Sequence, residues 1–204
     1  MVQRNSIIYD AVEIHTGIAA NKEVDFYTTP QGQNATQVTT GTATTYVKSK
    51  LLTNNKLAGQ LPNNTEWLIK AFDVYMNIVD PNMAKQMFID SNALFEFKRG
   101  DELLFQCPLI KMVDLKPVGL TGFSDGQASA KAQKFGMVLK GEPFRLEEYG
   151  IKLNSLDSFK ATIKFHTAVT FKKFNFDYGT AAANAAYTTA FNLYVAMHVR
   201  ETIR

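Results

Sequence analysis

Strict alternation of apolar and polar side chains is the feature that most narrows what this chain can become. In residues 158–166, Phe159, Ala161, Ile163 and Phe165 fall on one side, and Ser158, Lys160, Thr162, Lys164 and His166 on the other. A period of two is the signature of a strand with one buried and one wet face, and no helix can satisfy it. The closing stretch repeats the pattern: Phe191, Leu193, Val195, Met197 and Val199 oppose Asn192, Tyr194, Ala196, His198 and Arg200. Near the start, Ile8, Val12 and Ile14 alternate with Tyr9, Ala11, Glu13 and His15, with Asp10 breaking the apolar side.

Further strands follow from local signals. Residues 92–98 and 102–112 flank Arg99-Gly100-Asp101, a short glycine-containing connection that predicts a hairpin. Pro108 lies within the second arm and cannot donate to a ladder, so an edge or a bulge is expected there. Residues 65–79 read as one long strand with Leu68, Phe72, Val74, Met76 and Ile78 on its core side and Lys70 as the polar exception. Two short helices are expected, one after Asp80 with Pro81 in its first position and one over residues 126–134 capped by Asp125. Two long polar connections, residues 28–45 and 175–189, are bordered by strands that need partners. Long excursions of this kind from a β-scaffold carry contacts or function.

About eight strands with few helices and long loops predict an all-β fold, a single jelly-roll β-sandwich or barrel spanning residues 1–204. An α/β enzyme would need helices of 10–15 residues between strands, and these are absent from the pattern. With 46% hydrophobic and 20% charged residues, the 204-residue chain has globular composition, not that of a disordered one. No run approaches the roughly 20 apolar residues that a membrane-spanning helix needs. The single cysteine, Cys107, rules out an intramolecular disulfide. The opening stretch carries one arginine and no apolar run of signal-peptide length, so the chain is expected to remain where it is made. Asn34 and Asn63 begin glycosylation-type triplets and read, without a leader, as polar loops.

Chemistry-bearing motifs are few. Neither a glycine-rich phosphate loop nor a nucleophile elbow is present, so nucleotide enzymes and common serine hydrolases lack their marks. His15, His166 and His198 are far apart and form no close ligand pair. Cys107 has no nominated activating base and reads as a small core residue. Glu147 and Glu148, adjacent on an extended chain, point to opposite faces. Arg99-Gly100-Asp101 matches an adhesion tripeptide and equally suits a hairpin turn. Lys160, Lys164, Lys172 and Lys173 interleave with Phe165, Phe171 and Phe174, as in a single-strand nucleic-acid site. Alternation, however, sets Lys160 and Lys164 opposite Phe165, which favours core phenylalanines beneath a solvated lysine row. The net charge of +3 adds no strong nucleic-acid signal.

The order of features resembles a family. Residues 7–13 (IIYDAVE) lead to Phe26-Tyr27 and a polar loop, then to residues 52–62 (LTNNKLAGQLP), which run into residues 67–77 (WLIKAFDVYMN). This is similar to the jelly-roll capsid proteins of tailless icosahedral bacteriophages, many of which enclose a membrane. In that family a T-N…A-G-x-L-P segment precedes a long strand. Residues 157–165 (DSFKATIKF) and 193–204 (LYVAMHVRETIR) add to the likeness, whereas residues 113–145 have no counterpart. The resemblance implies a structural, non-enzymatic protein of the virion, made in the host cytoplasm. Its partners would be copies of itself in capsomers, with other capsid proteins and an underlying viral membrane as further neighbours. No catalytic, cofactor or metal residue is implied. Only Arg4 is basic in the first 20 residues, which argues against an arm that condenses genome. A major shell protein is preferred to a vertex protein, a choice the residues themselves leave open. Two alternatives stand beside this reading. One is a carbohydrate- or receptor-binding β-sandwich of a phage, with Tyr46, Trp67 and Tyr187 as exposed aromatics. The other is a β-sandwich hydrolase whose carboxylates meet only on folding.

Overall fold

A computed structural model describes residues 2–77, 81–119, 135–140, 143–146, 149–171 and 189–204. Its principal strands are β1 (Val2–His15), β2 (Lys22–Phe26), β3 (Thr65–Met76), β4 (Leu94–Arg99), β5 (Glu102–Pro108), β6 (Phe144–Arg145), β7 (Ile151–Leu153), β8 (Phe159–Phe165) and β9 (Phe191–Ile203). The short β6 and β7 both pair with β3 and together act as one edge strand. One sheet therefore runs β6/β7–β3–β9–β1, and the other runs β2–β8–β4–β5. These ladders are antiparallel, and the first sheet is extended by Val38–Thr39, which runs parallel to the end of β1. Successive strands change sheet at each connection except the β4–β5 hairpin and the β6–β7 break. That order is the double-sheet jelly roll, so the all-β expectation holds in its specific form.

Alternation explains why each strand sits where it does. Phe159, Ala161, Ile163 and Phe165 of β8 are buried, as are Phe191, Leu193, Val195, Met197 and Val199 of β9. Both sets enter a single apolar cluster between the sheets. Phe72 is central to it, with ring centroids 5.1 Å from Phe95, 5.2 Å from Phe97 and 5.6 Å from Phe105. Cys107 joins this core as a small buried side chain.

The long strand departs from its expected faces. In β9, His198 pairs with Ala71 and Val199 with Ile69, so Lys70 is an extra residue on β3. A bulge of this kind reverses the inward set. Before it Trp67 and Ile69 point into the core, and after it Phe72, Val74 and Met76 do. Leu68 is therefore not on the core side, and the polar exception at Lys70 disappears. The bulge also falls where the edge partner breaks into β6 and β7. Phe144 pairs with Phe72 on one side of it and Ile151 with Ile69 on the other.

Three local readings can be compared directly. The helix α1 (Pro81–Lys85) begins at proline as expected and continues into one π-helical turn, Gln86–Asp90. The second hairpin arm stops at Pro108 rather than reaching Met112, because residues Leu109–Met112 turn into a short helix, α2, that buries Leu109 and Met112. Pro108 ends β5, an edge strand of its sheet, where a missing donor costs nothing. The expected helix over residues 126–134, the cap at Asp125, and Ile78, Val79 and Asp80 lie outside the described residues.

Candidate functional site

Two features carry the polar chemistry of the described structure: an internal clamp beneath β1 and the outer face of the sheet that contains it.

The clamp begins with Asp10, whose position in the alternation turns it inward. Its Oδ1 lies 2.5 Å from Lys48 Nζ, and its Oδ2 accepts the Tyr27 backbone N–H at 2.6 Å. Both charged side chains are shut off from solvent, at 0% and 2% exposure. Burial pushes the Asp10 carboxyl up and the Lys48 ammonium down, and each charge opposes the shift of the other. Tyr27 spans the core, its hydroxyl donating to Val195 O at 2.8 Å. Asn55 Nδ2 donates to Tyr27 O at 2.9 Å. Thr53 and Asn54 then cover the free edge of β1. Thr53 Oγ1 donates to Tyr9 O, and Asn54 accepts from Tyr9 N at 2.8 Å and donates to Ile7 O at 2.7 Å. Further along this edge, Glu13 N–H donates to the Tyr46 hydroxyl at 3.0 Å. Burial pushes that hydroxyl up to about 12. The Thr53-Asn54-Asn55 run thus seals backbone groups that would otherwise template pairing with other chains.

On the outer face, Tyr75 and Tyr194 stand directly opposite each other in the β3–β9 register. Their rings are parallel, with centroids 4.8 Å apart. Tyr9, on β1, completes the group. Tyr9 and Tyr194 hold the crossing loop through their hydroxyls, which donate to Lys50 O at 2.5 Å and Leu51 O at 3.3 Å. Beside them Ile7 and Leu51 are 52% and 81% exposed. Toward the other end of the same face, the Lys70 bulge opens a cleft of about 460 Å³ between Asn5, Ile7, Lys70, His198 and Arg200. Burial pushes the Asp73 carboxyl up, and the nearby His198 and the Val74 backbone N–H oppose that push.

The opposite sheet presents a different surface. Lys160 pairs with Asp25 at 3.2 Å, Lys164 with Glu23 at 3.2 Å and with Glu96 at 3.3 Å, and Lys98 with Glu96 at 3.2 Å. Gln106 adds a hydrogen bond to Glu96 at 3.0 Å. Burial raises the Glu96 carboxyl, but bonds from Lys98, Lys164 and Gln106 outweigh it and hold the group below its ordinary value. Lys160 and Lys164 therefore meet carboxylates of their own chain, and Phe165 and Phe171 are buried in the core. Lys172, Lys173 and Phe174 lie outside the described residues.

Other sequence candidates resolve simply. Arg99-Gly100-Asp101 forms the β4–β5 turn, with Gly100 at φ +55° and Arg99 paired to Glu102 at 2.5 Å. His15 and His198 are half-buried on the outer face of the first sheet, and His166 is exposed beyond β8. Among the described residues no three His, Cys, Asp or Glu side chains gather as metal ligands. Burial raises the Cys107 thiol, the wrong direction for a nucleophile. Glu147 and Glu148 lie outside the described residues.

Trp67 and Tyr46, two of the aromatics expected to bind glycans, form no exposed cluster. Trp67 is buried and its Nε1 donates to Glu201 Oε1 at 3.4 Å, Tyr46 is half-buried in the clamp, and Tyr187 lies outside the described residues. The aromatic group on the outer face is instead exposed Tyr75 with half-buried Tyr9 and Tyr194. Its signal was present in the alternation, which sets Tyr9 and Tyr194 on wet faces where a tyrosine has no core to fill.

By fold, then, the chain is a jelly roll, with one outer face closed by ion pairs and one that carries a tyrosine group beside a basic cleft. No protein-family model, curated protein or solved structure matches it.

Proposed function

We propose that this chain is a structural protein of an icosahedral viral capsid, a shell-building jelly roll that works by self-association and not by catalysis. The observation that carries the reading is the contrast between its two outer faces. The β2–β8–β4–β5 face satisfies its charges internally, through Asp25, Glu23 and Glu96. The face of β1, β9 and β3 leaves Tyr75, Ile7 and Arg200 to solvent. Tyrosine and arginine are the residues enriched where proteins meet.

The physics of such a role needs a rigid body whose contact surfaces are already in place, because ordering them on assembly would cost affinity. The Asp10–Lys48 clamp and the phenylalanine core supply that rigidity. Strand order and the residues 52–77 that resemble phage capsid proteins support the same reading. In it the protein resides in the virion, its partners are further copies of itself, and other capsid proteins or an enclosed membrane are its neighbours. The major shell protein is the preferred role.

A second reading, a glycan-binding module of a phage, draws support from exposed Tyr75 on the outer face beside half-buried Tyr9 and Tyr194, since sugars stack on aromatic rings. Negative-stain electron microscopy of the purified protein separates the two. Rings, capsomers or shells are expected. Isolated particles of monomer size at high concentration, together with binding in a glycan screen, would replace the capsid reading with the second.

A further inference from the structure

We infer that the cleft opened by the Lys70 bulge is the socket for the β4–β5 turn of a second copy of this chain. The inference rests on the self-association reading and names the contact through which it occurs.

The socket lies on the outer face where Asn5, Ile7, His198 and Arg200 converge beside the bulge. Lys70, His198 and Arg200 make this cleft basic. Arg200 is exposed and forms no ion pair among the described residues. Ile7, half of its surface open to solvent, supplies an apolar wall.

The turn has the complementary chemistry. Asp101 and Glu102 occupy its tip, and Asp157 lies next to it, where Gly100 N–H bonds Ser158 O at 2.8 Å. Arg99, the cation that opens the turn, is taken by Glu102. Asp101 is exposed and forms no ion pair among the described residues. Leu103 and Leu156, 46% and 57% exposed, flank the tip as an apolar rim. A projecting acidic turn with apolar shoulders thus matches a basic cleft with an apolar wall. Socket and plug are different surfaces of one chain, so the contact is head-to-tail, the kind that closes into rings when its rotation allows.

Charge reversal and rescue test this on the full chain. Arg200→Glu and Asp101→Arg each place like charges in the contact and are expected to raise the concentration needed for association at least tenfold. The combined variant restores the opposite pairing and is expected to recover most of the loss. Rising sodium chloride should weaken association of the parent, since exposed charge pairs are screened within about 10 Å at 0.1 M salt. Both residues are exposed, so circular dichroism melts of all variants should coincide with the parent. Two results would overturn the contact while leaving self-association standing: a folded Arg200→Glu that associates like the parent, or a folded double variant no better than the singles. A parent that stays monomeric throughout would remove the self-association reading and this contact with it.

Discussion

Lys48 Nζ lies 2.5 Å from Asp10 Oδ1 in the closed interior, joining the inner face of β1 to the loop that follows β2. The pair sits at the one place where the alternation of β1 is broken, and it explains the break. A carboxylate on a core face is tolerable only with a partner and further donors, which Lys48 and the Tyr27 N–H provide. The polar loop of residues 28–64 is therefore fastened from below, with Thr53, Asn54 and Asn55 fastening it at the edge.

Removing one partner leaves an uncompensated buried charge. Asp10→Leu or Lys48→Met alone should cost about 3–5 kcal/mol, whereas Asp10→Leu with Lys48→Met should cost far less or nothing. Urea unfolding of the four proteins measures the cycle. A double variant whose loss equals the sum of the two singles would show that the charges do not depend on each other.

The core assignment makes a sharper contrast. Phe72, in contact with three phenylalanine rings, and Ile163, fully buried, should each lose about 2–5 kcal/mol when cut to alanine. Lys160→Ala removes a half-exposed pair with Asp25 and should cost no more than about 1 kcal/mol. Denaturant midpoints of the three variants test the ranking, and a Lys160 loss as large as that of Phe72 would contradict it.

Acid should unfold the protein partly through Glu96. Its carboxyl is held below its ordinary value near 4.5 in the folded state, so the unfolded chain takes up the proton first as pH falls. The stability this group contributes is present above pH 4.5 and is lost as pH drops through its folded value. Glu96→Gln should flatten the acid limb of stability against pH, read from chemical denaturation at a series of pH values. An unchanged slope would show that Lys98, Lys164 and Gln106 do not favour the ionised form.

What the sequence made legible is the part of the fold written in side-chain period. Strands β8 and β9, the β4–β5 hairpin and the start of α1 at Pro81 all carry local signals of pattern or turn chemistry. The bulge at Lys70 does not, because one extra residue leaves the composition of a strand unchanged and only its partners reveal the shift. Period alone therefore sets Leu68 on the wrong face. The end of β5 was obscured for a related reason: Leu109 and Met112 are apolar in either a strand or a helical turn. The candidate site was half visible. Asp10 stood out as a break in the pattern, but its partner Lys48 is 38 residues away and nothing local points to it. Tyr9 and Tyr194 showed on wet faces, while their alignment with Tyr75 needed the β3–β9 register.

The most direct test of self-association is the molar mass of the purified chain, by light scattering on a sizing column over a rising concentration series. The account predicts species at whole multiples of 22.8 kDa, growing toward a closed ring or larger particle as concentration rises. A constant mass of one chain at every concentration would contradict it.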